Sequence, residues 1–296
     1  MATLYTQIDS NIRKTWLLIA LFSFVLVGIG WALDQYYGDS AFLIFAVIIT
    51  AVQTFVSYQY SDKIAMFSFN AKPLEHDQNV ELFHLVENLA ITAGLPMPKI
   101  YIINSEQPNA FATGKDPRHA SIAITTGLIE KLDKTELEGV LAHEMSHIGN
   151  RDILLQTVII GLVGITNIIA RMFFRGMGRR SNDNDNGGGI FAIIAIFLII
   201  LSPLIAQLIQ LAISRKREFL ADANGAMLTR YPEGLASALE KIANDESELK
   251  QANTATAHLF IASPFKGKGL SNLFSTHPPI RQRIAMLRMM NIDPIK

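Results

Sequence analysis

The sequence predicts a mainly α-helical membrane protein carrying a smaller α+β domain with a small sheet, and three observations lead there. Half of the 296 residues are hydrophobic and only 18% are charged, against about 25% charge in an ordinary soluble domain. The deficit is concentrated in four stretches, residues 16–33, 41–60, 153–170 and 190–214, none of which holds a charged side chain. Between and after them lie short β-branched segments and amphipathic patterns of the ordinary globular kind. The 26 basic and 26 acidic residues cancel, which removes the global electrostatic case for nucleic acid as a partner. With no cysteine in the chain, disulfide scaffolds, thiolate metal sites and cysteine nucleophiles are excluded, so any metal must be held by histidine and carboxylate.

Residues 1–60 read as a transmembrane hairpin. Even the shortest uncharged stretch, rising 1.5 Å per residue, reaches roughly 27 Å, close to the thickness of a bilayer core. Only the polar turn 34–40 separates the first two stretches, and Trp16, Trp31, Tyr36, Tyr37, Tyr58 and Tyr60 stand at their ends, where interfacial aromatics belong. No small-residue cleavage pattern closes the first stretch, so it reads as a retained anchor rather than a signal peptide. Arg13 and Lys14 flank it, whereas the turn carries Asp34 and Asp39 and no base. The positive-inside rule then leaves the N-terminus, and everything after residue 60, in the cytoplasm.

Residues 61–152 read as the first half of a mixed α/β domain. Residues 79–93 carry apolar positions at helical spacing, closed by Gly94 with Pro96 and Pro98 behind. Residues 99–104, 109–114 and 120–125 read as short strands. Residues 134–150 form a helix, with Asp133 as N-cap and Glu136 as the acid of its capping box. Residues 153–214 hold the third and fourth hydrophobic stretches. Their connection carries Arg171, Arg175, Arg179 and Arg180; two full spans would put these outside, against the charge rule, and a shallow hairpin would not. Residues 215–296 read as mostly helical.

The chemistry is concentrated in the helix over 134–150, which contains His143-Glu144-Met145-Ser146-His147. Positions i and i+4 share a helix face, so His143 and His147 can ligate one zinc ion while Glu144 stands beside the water. Zinc requires a further protein ligand, and Glu218 in Glu218-Phe219-Leu220-Ala221-Asp222 is the candidate. Asp222, one turn on, can accept a hydrogen bond from a ligand histidine and fix its tautomer. If His143 and Glu218 share one ion, the chain crosses the membrane an even number of times between them: both inner stretches span, or neither does.

HEMSH followed about seventy residues later by EFLAD resembles the HtpX family of membrane-bound zinc metalloproteases, relatives of the CAAX prenyl endopeptidases within the gluzincin group. Residues 109–114 (NAFATG), 123–128 (AITTGL) and 275–279 (STHPP), with Arg283, extend the resemblance over nearly the whole chain. It implies a gluzincin-type α+β zinc metallopeptidase domain with one Zn(2+) per chain, set among transmembrane helices in the cell inner membrane and facing the cytoplasm. It implies polypeptide substrates, namely misfolded or damaged membrane proteins cleaved in quality control under stress. Glu144 would serve as general base. His277 would donate to the oxyanion or, alternatively, occupy the open metal position in a resting state. The resemblance makes Asn109, Ala110, Phe111 and Ala112 a substrate-side edge strand able to hold an extended peptide by β-augmentation. Arg283 would pair with an acidic neighbour or with bound peptide. Two other readings stand beside this one: a dedicated processing peptidase of the CAAX type, and a non-catalytic adaptor that keeps zinc only to hold its helices. Glu144 separates the last from the others, because it has no structural duty in such a site.

Overall fold

The computed structural model describes residues 4–160, 162, 215–247, 260–261 and 278–290. The two N-terminal hydrophobic stretches form α1 (Leu4–Tyr37) and α2 (Ala41–Ser68), joined at Gly38, whose φ of 68° lies in the left-handed region. Their most apolar parts, Ile8–Tyr37 and Ala41–Tyr60, are long enough to cross a membrane. Leu17, Phe24, Phe45 and Phe55 point outward and are exposed, as lipid-facing positions would be. A Cβ at Gly30 would run into that of Ala46, so the missing side chain lets the two helices approach closely.

After α2 the chain enters a four-stranded sheet in the order β1-β2-β4-β3, with β1 Lys72–Pro73, β2 Lys99–Ile103, β3 Ala110–Thr113 and β4 Ser121–Thr125. Strands β2 and β4 run parallel, and the two outer pairs are antiparallel. Strand β1 has no counterpart in the sequence reading, because two residues carry no periodicity. The sheet is covered on both faces. Ile100, Ile122, Ile124, Ala110 and Ala112 join a core with Leu82, Val86, Leu89, Val140 and Leu141. On the opposite face Ile103, Ala123 and Phe111 meet Ala65, Met66 and Phe69 from the end of α2. Double coverage explains why KIYII is a nearly continuous apolar run. Phe69, Phe111 and Phe260 meet in tilted and edge-to-face contacts at centroid separations of 5.1–5.3 Å and fasten the foot of the hairpin to β3.

Helix α3 (Val80–Ala93) is capped by Asn79 and closed by Gly94 at φ 66°, as the sequence indicates. A short α4 (Thr126–Lys131) follows β4. Helix α5 (Lys134–Gly149) starts at the foreseen capping box: the Asp133 side chain accepts from the Thr135 and Glu136 amides, and Glu136 accepts from the Asp133 amide. Ser237 and Lys241 of α7 (Pro232–Asn244) also donate to Glu136, each at 2.6 Å. Helix α6 (Arg215–Thr229) packs across α5, and α8 (Ile280–Arg288) closes over α6 and α7.

Residues 152–160, the start of the third hydrophobic stretch, are helical and buried in protein. Leu154, Leu155, Val158 and Ile159 pack against Leu18, Ile19, Phe22 and Leu26 of α1. The remainder of that stretch (apart from residue 162), the arginine-bearing connection and the whole fourth stretch lie outside the described residues.

Candidate active site

Both motif histidines lie on the buried face of α5, and α6 brings Glu218 to them. The imidazole Nε2 atoms of His143 and His147 are 3.2 Å apart. Glu218 Oε1 lies 3.6 Å from His147 Nε2, and Oε2 lies 3.9 Å from His143 Nε2. One ligand atom from each of the three residues fits within a 4.8 Å cluster. Donors about 2.0–2.2 Å from a tetrahedral zinc ion stand roughly 3.3–3.5 Å from one another, so this triangle fits such an ion with small adjustments. The chemistry of the donor set, two neutral imidazoles and a carboxylate, suits the same ion.

The outward nitrogens explain why the inner ones converge. His143 Nδ1 lies 2.9 Å from Asp222 Oδ1, and His147 Nδ1 lies 3.1 Å from Asp152 Oδ2. With each Nδ1–H donating to a carboxylate, both Nε2 lone pairs face the cluster. Burial disfavours a charged His147, but its hydrogen bond to Asp152 and the nearby Glu218, Asp152 and Glu144 carboxylates outweigh burial and push its pKa up to about 9. A divalent cation entering the cluster would replace that proton.

Arg283 is completely buried. Its Nε and Nη2 donate to the two oxygens of Asp222 at 2.8 and 2.6 Å, and Nη1 donates to the Ile261 carbonyl at 3.0 Å and lies 3.7 Å from Glu218 Oε2. Burial raises the Asp222 pKa, yet this guanidinium more than offsets it and holds the carboxyl at about 2. Of the two partners the sequence left open to Arg283, the structure shows the acidic neighbour.

Glu144, also buried, accepts a hydrogen bond from the Ala112 amide at 2.8 Å. The base candidate is therefore fixed to β3, the edge strand of the sheet. In the register of β3 on β4, Thr125 donates to the Asn109 carbonyl, so Ala110 and Ala112 direct their backbone groups away from β4. The Ala110 carbonyl accepts from the Ile261 amide at 3.3 Å. Residues Ala110–Ala112 and Asn109 are all buried, and the Asn109 side chain accepts from the Ala110 amide. His277 lies outside the described residues.

Sequence reasoning missed Asp152. Its signal was present: a carboxylate five residues beyond the second histidine, just past the end of the motif helix. It also missed Asn11, whose carboxamide donates to Asp152 Oδ1 at 2.7 Å from the first membrane helix.

The chain is 46% identical over 297 residues to a protein named Protease HtpX homolog from Caldanaerobacter subterraneus subsp. tengcongensis, covering 98% of this chain and 99% of that one. A relative of the same name from Thermoanaerobacter pseudethanolicus is 45% identical over 298 residues, covering 98% and 99%. Among solved structures, S. mikatae Ste24p matches with a TM-score of 0.49 at 20% identity, over 96% of this chain and 67% of that one. The family model for Peptidase family M48 matches residues 76–291, a span that holds the two histidines, Glu144 and Glu218, and the chain belongs to that family, as a membrane metalloprotease.

Proposed function

We propose that the chain is a zinc-dependent endopeptidase of the cell membrane that hydrolyses peptide bonds in misfolded or damaged membrane proteins at the cytoplasmic face. The observation that carries this reading is the buried His143–His147–Glu218 triangle with Glu144 beside it, fastened to an edge strand at the foot of two exposed apolar helices. His143, His147 and Glu218 hold the ion, and Asp222 and Asp152 orient the two imidazoles. Zinc, when bound, polarises a carbonyl and lowers the pKa of a water towards about 7.

Glu144 accepts the proton of the attacking water and returns it to the departing amine. Its tie to the Ala112 amide fixes the carboxylate's direction, so little reorganisation is needed when the proton moves. The outward carbonyls of Ala110 and Ala112 can accept from the amides of an extended substrate, which gains main-chain hydrogen bonds with little dependence on side-chain identity. Such a peptide takes over the bond that Ile261 now makes to the Ala110 carbonyl. Asn109 immediately precedes this strand, and His277 would donate to the oxyanion or, alternatively, occupy the open metal position in a resting state. The orientation of the N-terminal hairpin, with Arg13 and Lys14 on the peptidase side and Asp34 and Asp39 on the far side, follows the positive-inside rule.

The test uses the purified full chain in liposomes. It should contain one zinc per chain and cleave an unfolded membrane protein in preference to its folded form. A chelator should abolish cleavage and added zinc should restore it. Because the chain lacks cysteine, single cysteines placed at Tyr36 and His84 report sidedness cleanly. Cleavage that persists without metal, or labelling of both positions from the same side, would contradict the reading.

A further inference from the structure

A buried polar contact joins the first membrane helix to the turn behind the metal-site helix. Asn11 lies near the start of α1, on the face that continues through Thr15, Leu18, Ile19 and Phe22. That face packs on Leu154, Leu155, Val158, Ile159 and Leu162 along an apolar seam, yet at its N-terminal end it presents a carboxamide. The amide nitrogen of Asn11 donates to two acceptors: Asp152 Oδ1 at 2.7 Å and the Asn150 carbonyl at 3.1 Å. Both belong to one turn, the three residues that lead from the end of α5 into the helix beginning at 152. The middle residue, Arg151, sits at φ 55° without being glycine, a left-handed conformation that L side chains avoid. The turn is closed by backbone bonds from the Asn150 and Arg151 amides to the Ser146 and Ile148 carbonyls, and Asn11 adds a restraint from outside by bridging its two sides.

We infer that Asn11 is a positioning residue of the metal centre, through which the first membrane helix sets the orientation of His147. The chain of contacts is short. Asn11 and Arg217 approach Asp152 Oδ1, at 2.7 and 3.5 Å, which leaves Oδ2 for His147 Nδ1 at 3.1 Å. If the turn relaxes, Asp152 moves, and the His147 ring loses the partner that aims its Nε2 at the cluster. Simple packing does not account for the residue: an apolar side chain would serve the seam above it equally well, whereas only a donor of two hydrogens satisfies both acceptors. The anchor is thereby part of the peptidase centre rather than only its attachment, and displacement of α1 loosens metal binding. This inference rests on His147 being a metal ligand.

The experiment measures zinc affinity of the full chain in detergent or nanodiscs, by competition with a chromophoric chelator, together with the visible spectrum of the cobalt-substituted protein. Asn11→Ala should weaken zinc binding about 10-fold, at the low end for outer-shell partners, and alter the cobalt band. Arg151→Gly relieves the left-handed conformation, so in the Asn11→Ala background it should recover much of the lost affinity. Ser23→Ala, which removes a hydroxyl farther along α1 that contacts Thr54 of α2, should stay within 2-fold of the native chain. Should Asn11→Ala fail to accumulate folded, the comparison passes to the double variant, which must bind more weakly than Arg151→Gly alone. Native zinc affinity and an unchanged cobalt spectrum in Asn11→Ala would overturn the inference. If His147→Ala also binds zinc normally, the ligand assignment itself fails; if His147→Ala abolishes binding while Asn11→Ala does not change it, only the role of Asn11 falls.

Discussion

Replacing Arg283 by methionine removes a buried guanidinium that approaches both Asp222 and Glu218 while keeping most of the side chain's bulk. The structure fixes the scale. Two charge-assisted hydrogen bonds to Asp222, at 2.8 and 2.6 Å, disappear together with the bond to the Ile261 carbonyl. Asp222 and Glu218 remain buried, and removing one partner from such a pair generally costs about 3–5 kcal/mol. At roughly 2–4 °C per kcal/mol for a domain of this size, the melting temperature should fall by about 10 °C. The deficit should be larger in metal-free protein, because a bound divalent cation itself offsets the carboxylate charge. Arg283→Lys keeps a charge but not the planar fork, so it should lie between the two. The assay is thermal unfolding in detergent, with and without chelator. A methionine variant that melts within about 2 °C of the native chain in chelator would refute this account of Arg283.

Three further outcomes follow from individual contacts. A Cβ at Gly225 would stand 3.0 Å from the His143 amide nitrogen and 3.1 Å from its Cα. Gly225→Ala gains about 1 kcal/mol of helix propensity against about 1–3 kcal/mol of overpacking. Its melting temperature should therefore change little while zinc affinity falls, because α6 carries Glu218; unchanged affinity would show that α6 accommodates the methyl group. Glu136 has its pKa lowered: burial raises it, but the hydrogen bonds from Lys241, Ser237 and the Asp133 amide outweigh burial. A depressed carboxyl contributes stability above its unfolded pKa and loses it as pH falls through the folded one. Acid should thus destabilise the native chain more than Glu136→Gln across the carboxylate range, as measured by melting temperature against pH; parallel profiles would contradict this. Asp152→Asn should weaken zinc binding about 10–100-fold, and equal affinity by chelator competition would show that His147 is oriented by something else.

Much of this centre was legible because its signals are local. The spacing of His143 and His147 requires only one helix, and the capping box at Asp133 and Glu136 announces where that helix begins. Gly94 and Asn79 mark the ends of α3 for the same reason. Strand β3 was readable to within a residue at each end, and its resemblance to an edge strand agrees with its position in the sheet. What sequence could not supply was long-range pairing. Asn11 and Asp152 are 141 residues apart, and nothing near either one announces the other. The trace was an asparagine in register with the apolar face of a membrane helix, where burial demands a partner. Arg283 was ambiguous for a similar reason: an arginine's partner depends on what the fold places around it, here Asp222 from another helix. Strand β1 escaped because Lys72 and Pro73 are exposed and have no pattern to read.

In the proposed mechanism Glu144 moves the proton while the histidines and Glu218 hold the ion, and Glu144→Gln separates these two duties. Glutamine retains an oxygen that can accept from the Ala112 amide, so the contact made at 2.8 Å in the native chain survives, while the basic carboxylate is lost. Zinc content and cleavage of an unfolded substrate are measured on the same liposome preparation. The variant should hold one zinc per chain, as the native protein should, with cleavage reduced by about 10²–10⁴-fold. Full zinc with undiminished cleavage would contradict this mechanism.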